Sequence, residues 1–168
     1  METCDMNQII ADIVSTMQYQ IQSIDAAIHV HELPSCFGDR EQVNQVFSNL
    51  VSNAIKYLDP DRKGSITISG HRDGKQSVFH VADNGIGIPD TQIDQIFEIF
   101  HRLNPQKSPG EGLGLSIVTR ILERMNGSVH VTSEPGSGST FVVRLPSGNQ
   151  QSASENNDTK LKVKQLRA

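Results

Sequence analysis

The stretch from Gln76 to Pro89 constrains this chain more than any other, because a run of extended, alternating residues ends in a carboxylate followed by two glycines. Phe79, Val81 and Asp83 fall on one side of such a strand and Val78, His80 and Ala82 on the other, which aims Asp83 at the same face as two large apolar side chains. A carboxylate turned toward a core costs several kcal/mol unless a donor meets it. No Arg or Lys adjoins Asp83 in sequence. Gly85 and Gly87 clear the backbone for a flat ligand and permit positive φ in the turn that follows. The amino group on a purine edge is a donor of suitable size for that carboxylate. The same residues also suit an Asp-Asn-Gly turn that merely closes a strand.

Upstream, Met6, Ile9, Ile10, Ile13, Val14, Met17, Ile21 and Ile24 follow helical spacing to about Ser23–Asp25, with Asp5 and Gln8 placed as a capping box. Residues Ala27 to Leu33 then alternate as a strand that Pro34 ends. Asp39 and Gln42 make a second box, and Val43, Val46, Phe47, Leu50, Val51, Ala54, Ile55 and Leu58 form the core stripe of the next helix. Away from that stripe, Asn49, Asn53 and Lys56 line up at i, i+4 and i+7. This ridge reads either as a solvated face or as two amide oxygens for a hard cation with an ammonium for phosphate.

Asp59-Pro60 breaks this helix, Ser65 to Gly70 alternates as a strand, and Asp73-Gly74 turns the chain back into the Asp83 strand. Gly70 to Lys75 imitates a P-loop but is one residue short, has Gln76 where Ser or Thr belongs, and precedes no helix. Pro89-Asp90 opens a short helix carrying Ile93, Ile96, Phe97 and Phe100, and a loop rich in Pro, Ser and Gly runs from Asn104 to Gly110. Gly110, Gly112 and Gly114 alternate before a helix with the stripe Ile117, Val118, Ile121, Leu122 and Met125, stopped by Gly127. Alternate glycines at a helix start expose backbone N–H groups at the positive end of the dipole, which suits phosphate. The spacing is not GxGxxG and no strand precedes it, which disfavours a Rossmann fold. Val129 to Ser133 and Thr140 to Leu145 form a last hairpin. Residues 147–168 are polar and end in Lys160, Lys162, Lys164 and Arg167, which reads as a disordered tail or linker after a single domain over 1–146.

Composition narrows the partners. A formal net charge of −4 gives no general pull toward nucleic acid or anionic membrane. Cys4 and Cys36 carry neither a disulfide framework nor zinc-ligand spacing, so a reducing cytosol is the expected setting. No apolar run approaches the ~20 residues that cross a bilayer.

Taken in order, these pieces resemble the catalytic, ATP-binding domain of sensor histidine kinases over about residues 5–146. Asn49 to Tyr57 is similar to that family's N box, Asp83 to Gly87 to its first glycine box, Phe97 to Phe100 to its F box and Gly110 to Leu115 to its second glycine box. The resemblance implies an α+β fold, a two-layer α/β sandwich of the Bergerat type with a mixed, mainly antiparallel sheet on three main helices and ATP held under a flexible lid. It implies that Asp83 accepts from the adenine amino group and that Asn53, with Asn49 beside it, holds Mg²⁺ against the triphosphate. Lys56 and Arg102 would neutralise phosphate charge, and Tyr57 would pack near the nucleotide. Gly85, Gly87, Ile88 and Phe100 would surround it, and Gly110, Gly112, Leu113, Gly114 and Leu115 would cradle the phosphates. Three features depart from the family pattern: His101 stands where Tyr is frequent, Glu111 replaces a small residue between glycines, and the lid is short.

The same resemblance implies a phosphoacceptor histidine on an upstream dimerisation domain and a response-regulator receiver domain as partners, with this piece monomeric, its parent a homodimer and no role for nucleic acid. His31-Glu32-Leu33 imitates the start of the family's His-Glu-Leu-Arg-Thr-Pro acceptor motif, but Pro34 follows directly and the segment reads as strand, so the acceptor is expected upstream of this piece. Related ATPases of the gyrase, mismatch-repair and heat-shock type place a glutamate on the N-box helix to activate water. Asn49 occupies that place here, which favours transfer over hydrolysis. A degenerate nucleotide-binding scaffold is the other alternative, and Asp83, Asn53 and the lid glycines count against it.

Overall fold

The computed structural model describes residues 1–98 and 114–148. The chain runs β1 (Glu2–Cys4), α1 (Met6–Thr16), α2 (Gln18–Ser23), β2 (Ala27–Val30), β3 (Cys36–Gly38), α3 (Arg40–Lys56), β4 (Ser65–Asp73), β5 (Gln76–Asp83), a 3-10 turn at Asp90–Gln92, α4 (Gly114–Arg124), β6 (Ser128–Glu134) and β7 (Gly138–Pro146). Five strands form one sheet in the order β2-β4-β5-β7-β6, and only the β2–β4 pair is parallel. This is the mixed, mainly antiparallel sheet expected, with α1, α3 and α4 packed together on one face.

Strand register explains which face is the core. Ile68, Val81, Phe141 and Val131 lie opposite one another across four strands, and Gly70, Phe79, Val143 and Val129 form the next row. Phe79, Val81, Ile68 and Val143 are fully buried there, with Phe47 of α3 meeting Phe79 edge to face at 5.5 Å. The opposite face carries Ser69, His80, Val142 and His130 in one row and His71, Val78 and Arg144 in another.

Local chemistry sets the helix ends. Asp5 accepts from the Gln8 N–H at 3.2 Å and Asp39 from the Gln42 N–H at 3.0 Å, so both are N-caps. At the first cap Gln8 spends its side-chain amide on Asp12 at 2.8 Å. The first helical stripe, expected as one helix, is interrupted at Met17, where the Thr16 hydroxyl bonds back to the Asp12 carbonyl at 2.9 Å and the α1 geometry lapses. Past α4 the left-handed residue is Asn126, with φ 55°, and Gly127 closes the end by donating to the Leu122 carbonyl at 2.8 Å. The expected helix after Pro89 is only a 3-10 turn continued by turns. Its bonds run mostly to the third residue back, as from Gln92 to Pro89 and from Gln95 to Gln92.

Two short strands were not legible in the sequence. β1 and β3 pair antiparallel and place Cys4 opposite Cys36, both free and buried as small apolar groups; burial pushes the Cys36 thiol up to about 12. Ser147 bridges to Cys36, and Gly148 accepts from the Thr3 hydroxyl at 3.0 Å, so the chain is tied down just past β7. The rest of the polar segment expected as a tail lies outside the described residues. Among the described residues no helix is long and apolar enough to cross a membrane.

Candidate functional site

Asp83 ends β5 on the helix-facing side, in register with Ile66 on β4 and Ser139 on β7. Its carboxylate accepts from the Gly85 N–H at 2.8 Å and from the Ser139 backbone amide. Burial nevertheless raises its pKa from 3.8 to about 6, the two amide bonds opposing the desolvation without cancelling it. Above that pH the site presents a partly desolvated carboxylate whose oxygens accept more bonds than the protein supplies. It forms the floor of an open-sided cleft lined by Asn53 from α3, by Tyr57 at the C-cap of that helix, and by Gly87 and Ile88 from the loop after β5. Ile96, Leu115 of α4, and Ser139 and Phe141 of β7 complete the lining. The walls are thus largely apolar, with a few polar groups converging at the bottom.

The loop from Asn84 to Ile88 is knitted into place by its backbone. The Asn84 side chain accepts from the Ser65 N–H at 2.8 Å and donates to the Lys63 carbonyl at 2.9 Å, Ile86 N–H bonds the Tyr57 carbonyl at 2.9 Å, and Ile88 N–H bonds the Ser133 hydroxyl at 2.8 Å. Arg62 donates to the carbonyls of Asn84 at 2.8 Å and Gly85 at 2.7 Å. Both glycines are required by this packing. A Cβ on Gly85 would lie 2.1 Å from the Tyr57 carbonyl oxygen, and one on Gly87 2.2 Å from that of Glu134. Gly87 alone of the two has positive φ, at 72°.

The structure therefore brings Asn53, Tyr57, Asp83, Gly87, Ile88 and Leu115 to one cleft. Gly85 sits behind the wall it helps to build. Asn49 is one turn back along α3: its Nδ2 is engaged by the Gln45 carbonyl at 3.0 Å, while its Oδ1 lies 3.2 Å from where a Gly114 Cβ would be. The last glycine of the Gly-Leu-Gly motif thus starts α4 against the Asn-bearing face of α3. Lys56 is exposed at the last turn of α3 and is not among the cleft-lining residues. Phe100, Arg102, Gly110, Gly112 and Leu113, with His101 and Glu111, lie outside the described residues. Ser139, Phe141 and Arg62 were missed. Ser139 and Phe141 could have been found from alternation along β7 once the register with Asp83 was known, whereas Arg62 acts from a loop on main-chain carbonyls and leaves no pattern.

Residues 38–149 match the family described as histidine kinase-, DNA gyrase B- and HSP90-like ATPase. The phytochrome-like protein Cph1 of Synechocystis sp. is 37% identical over 146 residues, covering 86% of this chain and 19% of that protein. Among solved structures, the catalytic domain of the histidine kinase ThkA superposes with a TM-score of 0.75 at 26% identity, covering 88% of this chain and 97% of that domain. Full-length ShkA, solved in complex with AMPPNP, gives 0.73 at 28% identity over 86% of this chain and 30% of ShkA. The chain spans about a fifth of the length of the curated relatives it matches. With the carboxylate floor, the Asn-bearing helix beside it and the glycine-started helix opposite all in place, the chain belongs to the histidine kinase-, DNA gyrase B- and HSP90-like ATPase family, as a catalytic domain of the sensor histidine kinase kind.

Proposed function

We propose that this domain binds ATP with Mg²⁺ in the cleft above Asp83 and passes the γ-phosphoryl group to a histidine on a separate, dimeric domain of the same parent protein, from which a receiver domain takes it. The observation that carries this reading is the Asp83 carboxylate itself: it is partly desolvated, fixed by two backbone amides, and turned into an apolar cleft with acceptor capacity left over. An adenine amino group satisfies it, and the neighbouring apolar walls suit a purine face. Asn53 on the cleft wall, with Asn49 one turn before it, supplies amide oxygens to Mg²⁺. That suits an ion which keeps several waters and takes only a few ligands from protein. Lys56 and Arg102 offset phosphate charge, and the amides from Gly110 to Leu115 receive the phosphates at the start of α4. Transfer of this kind needs positioning and charge neutralisation more than covalent help, and Asn49, where hydrolytic relatives have a glutamate, leaves water without a general base.

Titration calorimetry with ATP·Mg²⁺ against wild type and Asp83→Asn tests the reading. An asparagine has one acceptor oxygen where several donors converge, and its amino group faces a donor, so the variant is expected to bind about tenfold to a hundredfold more weakly. Equal affinity in the two proteins removes Asp83 from the nucleotide site.

A further inference from the structure

We propose that Arg62 is a positioning residue for the nucleotide site, acting on Asp83 through a single peptide unit. The inference rests on the assignment of Asp83 as the adenine acceptor. The Nε of Arg62 donates to the Asn84 carbonyl at 2.8 Å, and the amide at the other end of that same peptide unit, Gly85 N–H, donates to Asp83 Oδ1 at 2.8 Å. A guanidinium pulling on a carbonyl oxygen polarises its peptide and makes the N–H a stronger donor, so the bonds reinforce one another. The Nη2 of Arg62 meanwhile takes the next carbonyl, that of Gly85, at 2.7 Å, and the two contacts fix the peptide plane from outside. A planar fork bridges successive carbonyls with its donors held in a fixed plane, whereas an ammonium offers rotatable donors that fix that plane less firmly.

Two observations separate this role from mere loop anchoring. The loop is already tied down without Arg62, by both arms of the Asn84 amide and by the bond from Ile86 to Tyr57. Arg62 also keeps 37% of its side chain exposed, so it adds little as packing. Its guanidinium is steadied by the Asp59 carboxylate at 3.6 Å, which in turn accepts from the Asp61 N–H at 2.9 Å. The polar groups around Asp83 are then Asn53 from α3, Tyr57 at the C-cap of α3, Ser139 from β7, and the Arg62–Asp59 pair from the loop between α3 and β4. A stronger Gly85 donor favours the ionised carboxylate and holds the oxygen that remains turned toward the cleft.

The test uses the whole chain. In wild type, an NMR pH titration follows the Asp83 carboxyl carbon and the Arg62 Nε–H together. The relay requires both to move with one midpoint, and the Arg62 response to vanish in Asp83→Asn. In Arg62→Gln the Asp83 midpoint is expected to move to higher pH and ATP affinity to fall about three- to tenfold, with Arg62→Lys recovering part of each. An Arg62 resonance that ignores the Asp83 titration overturns the proposal. So does an Arg62→Gln protein that binds ATP less well while its Asp83 midpoint stays put, because that is a structural tie only. Should Arg62→Gln fail to fold, the wild-type titration decides alone. Absence of ATP binding in wild type would refute the nucleotide site and leave the free-protein titration to judge the relay separately.

Discussion

Asp83 is the residue at which function works against stability. Its pKa rises from 3.8 to about 6 because burial disfavours the charge, so between those values the folded chain holds a proton that the unfolded chain has released. The contribution to stability is therefore complete below pH 3.8 and is lost as the pH rises through about 6. Urea unfolding of wild type and Asp83→Asn checks the sign: the difference in unfolding free energy, wild type minus variant, is expected to fall by about 2 kcal/mol between about pH 4.5 and 7.5. A difference that stays flat or grows over that range would show that the carboxylate is not desolvated in the folded chain. Asp83 was legible because a two-residue alternation is a local pattern, read within one strand. Ser139, directly opposite it, needed the β5–β7 register, and Arg62 needed the path of a loop, neither of which any local pattern records.

Among the elements, the loop after β5 shows how two glycines alike in sequence do different work. Gly87 has φ 72° and would bring a Cβ within 2.2 Å of the Glu134 carbonyl oxygen, so the turn between β6 and β7 closes directly on it. Gly74, in the β4–β5 turn at the far end of the sheet, has φ 57° and nothing within 4 Å of such a Cβ. Alanine at Gly74 therefore meets backbone strain alone, about 1–2 kcal/mol, and leaves ATP binding unchanged. At Gly87 the same strain is joined by a clash with main chain that cannot move without opening the hairpin, and the floor of the cleft moves with it. Thermal melts are expected to rank Gly87→Ala well below Gly74→Ala, and equal losses would mean that the Glu134 turn yields freely. The sequence marked both positions as turn glycines but could not tell them apart, because the discriminating neighbour is 47 residues away. For the same reason it gave the long helices, whose stripes and Asp5 and Asp39 caps are local. It missed β1 and β3, three residues each, which exist only through their mutual pairing.

At the level of the whole molecule, the sheet separates the proposed site from four of the histidines, His29, His71, His80 and His130. The cleft lies on the face that packs against α3 and α4, beside Asp83 and Phe141. His80 pairs with Ser69 and Val142, His130 with Val142, His71 with Val78 and His29 with Thr67, which puts all four on the opposite face. His31, the residue that imitates the acceptor motif, follows edge strand β2 and gives its N–H to the Ile68 carbonyl, so it is held extended and not on a helix. ATP held in this cleft, its base at Asp83 and its phosphates toward α4, therefore lies across the sheet from the outward-facing histidines, and in-line attack by them is blocked. Incubation with γ-labelled ATP·Mg²⁺ is expected to leave His29, His31, His71, His80 and His130 unlabelled. Label should accumulate on a helical, histidine-bearing domain of the parent protein when that domain is supplied separately. Acid-labile phosphate found by mass spectrometry on any of these five residues would show that the domain reaches its own acceptor, and the need for a second domain would fall.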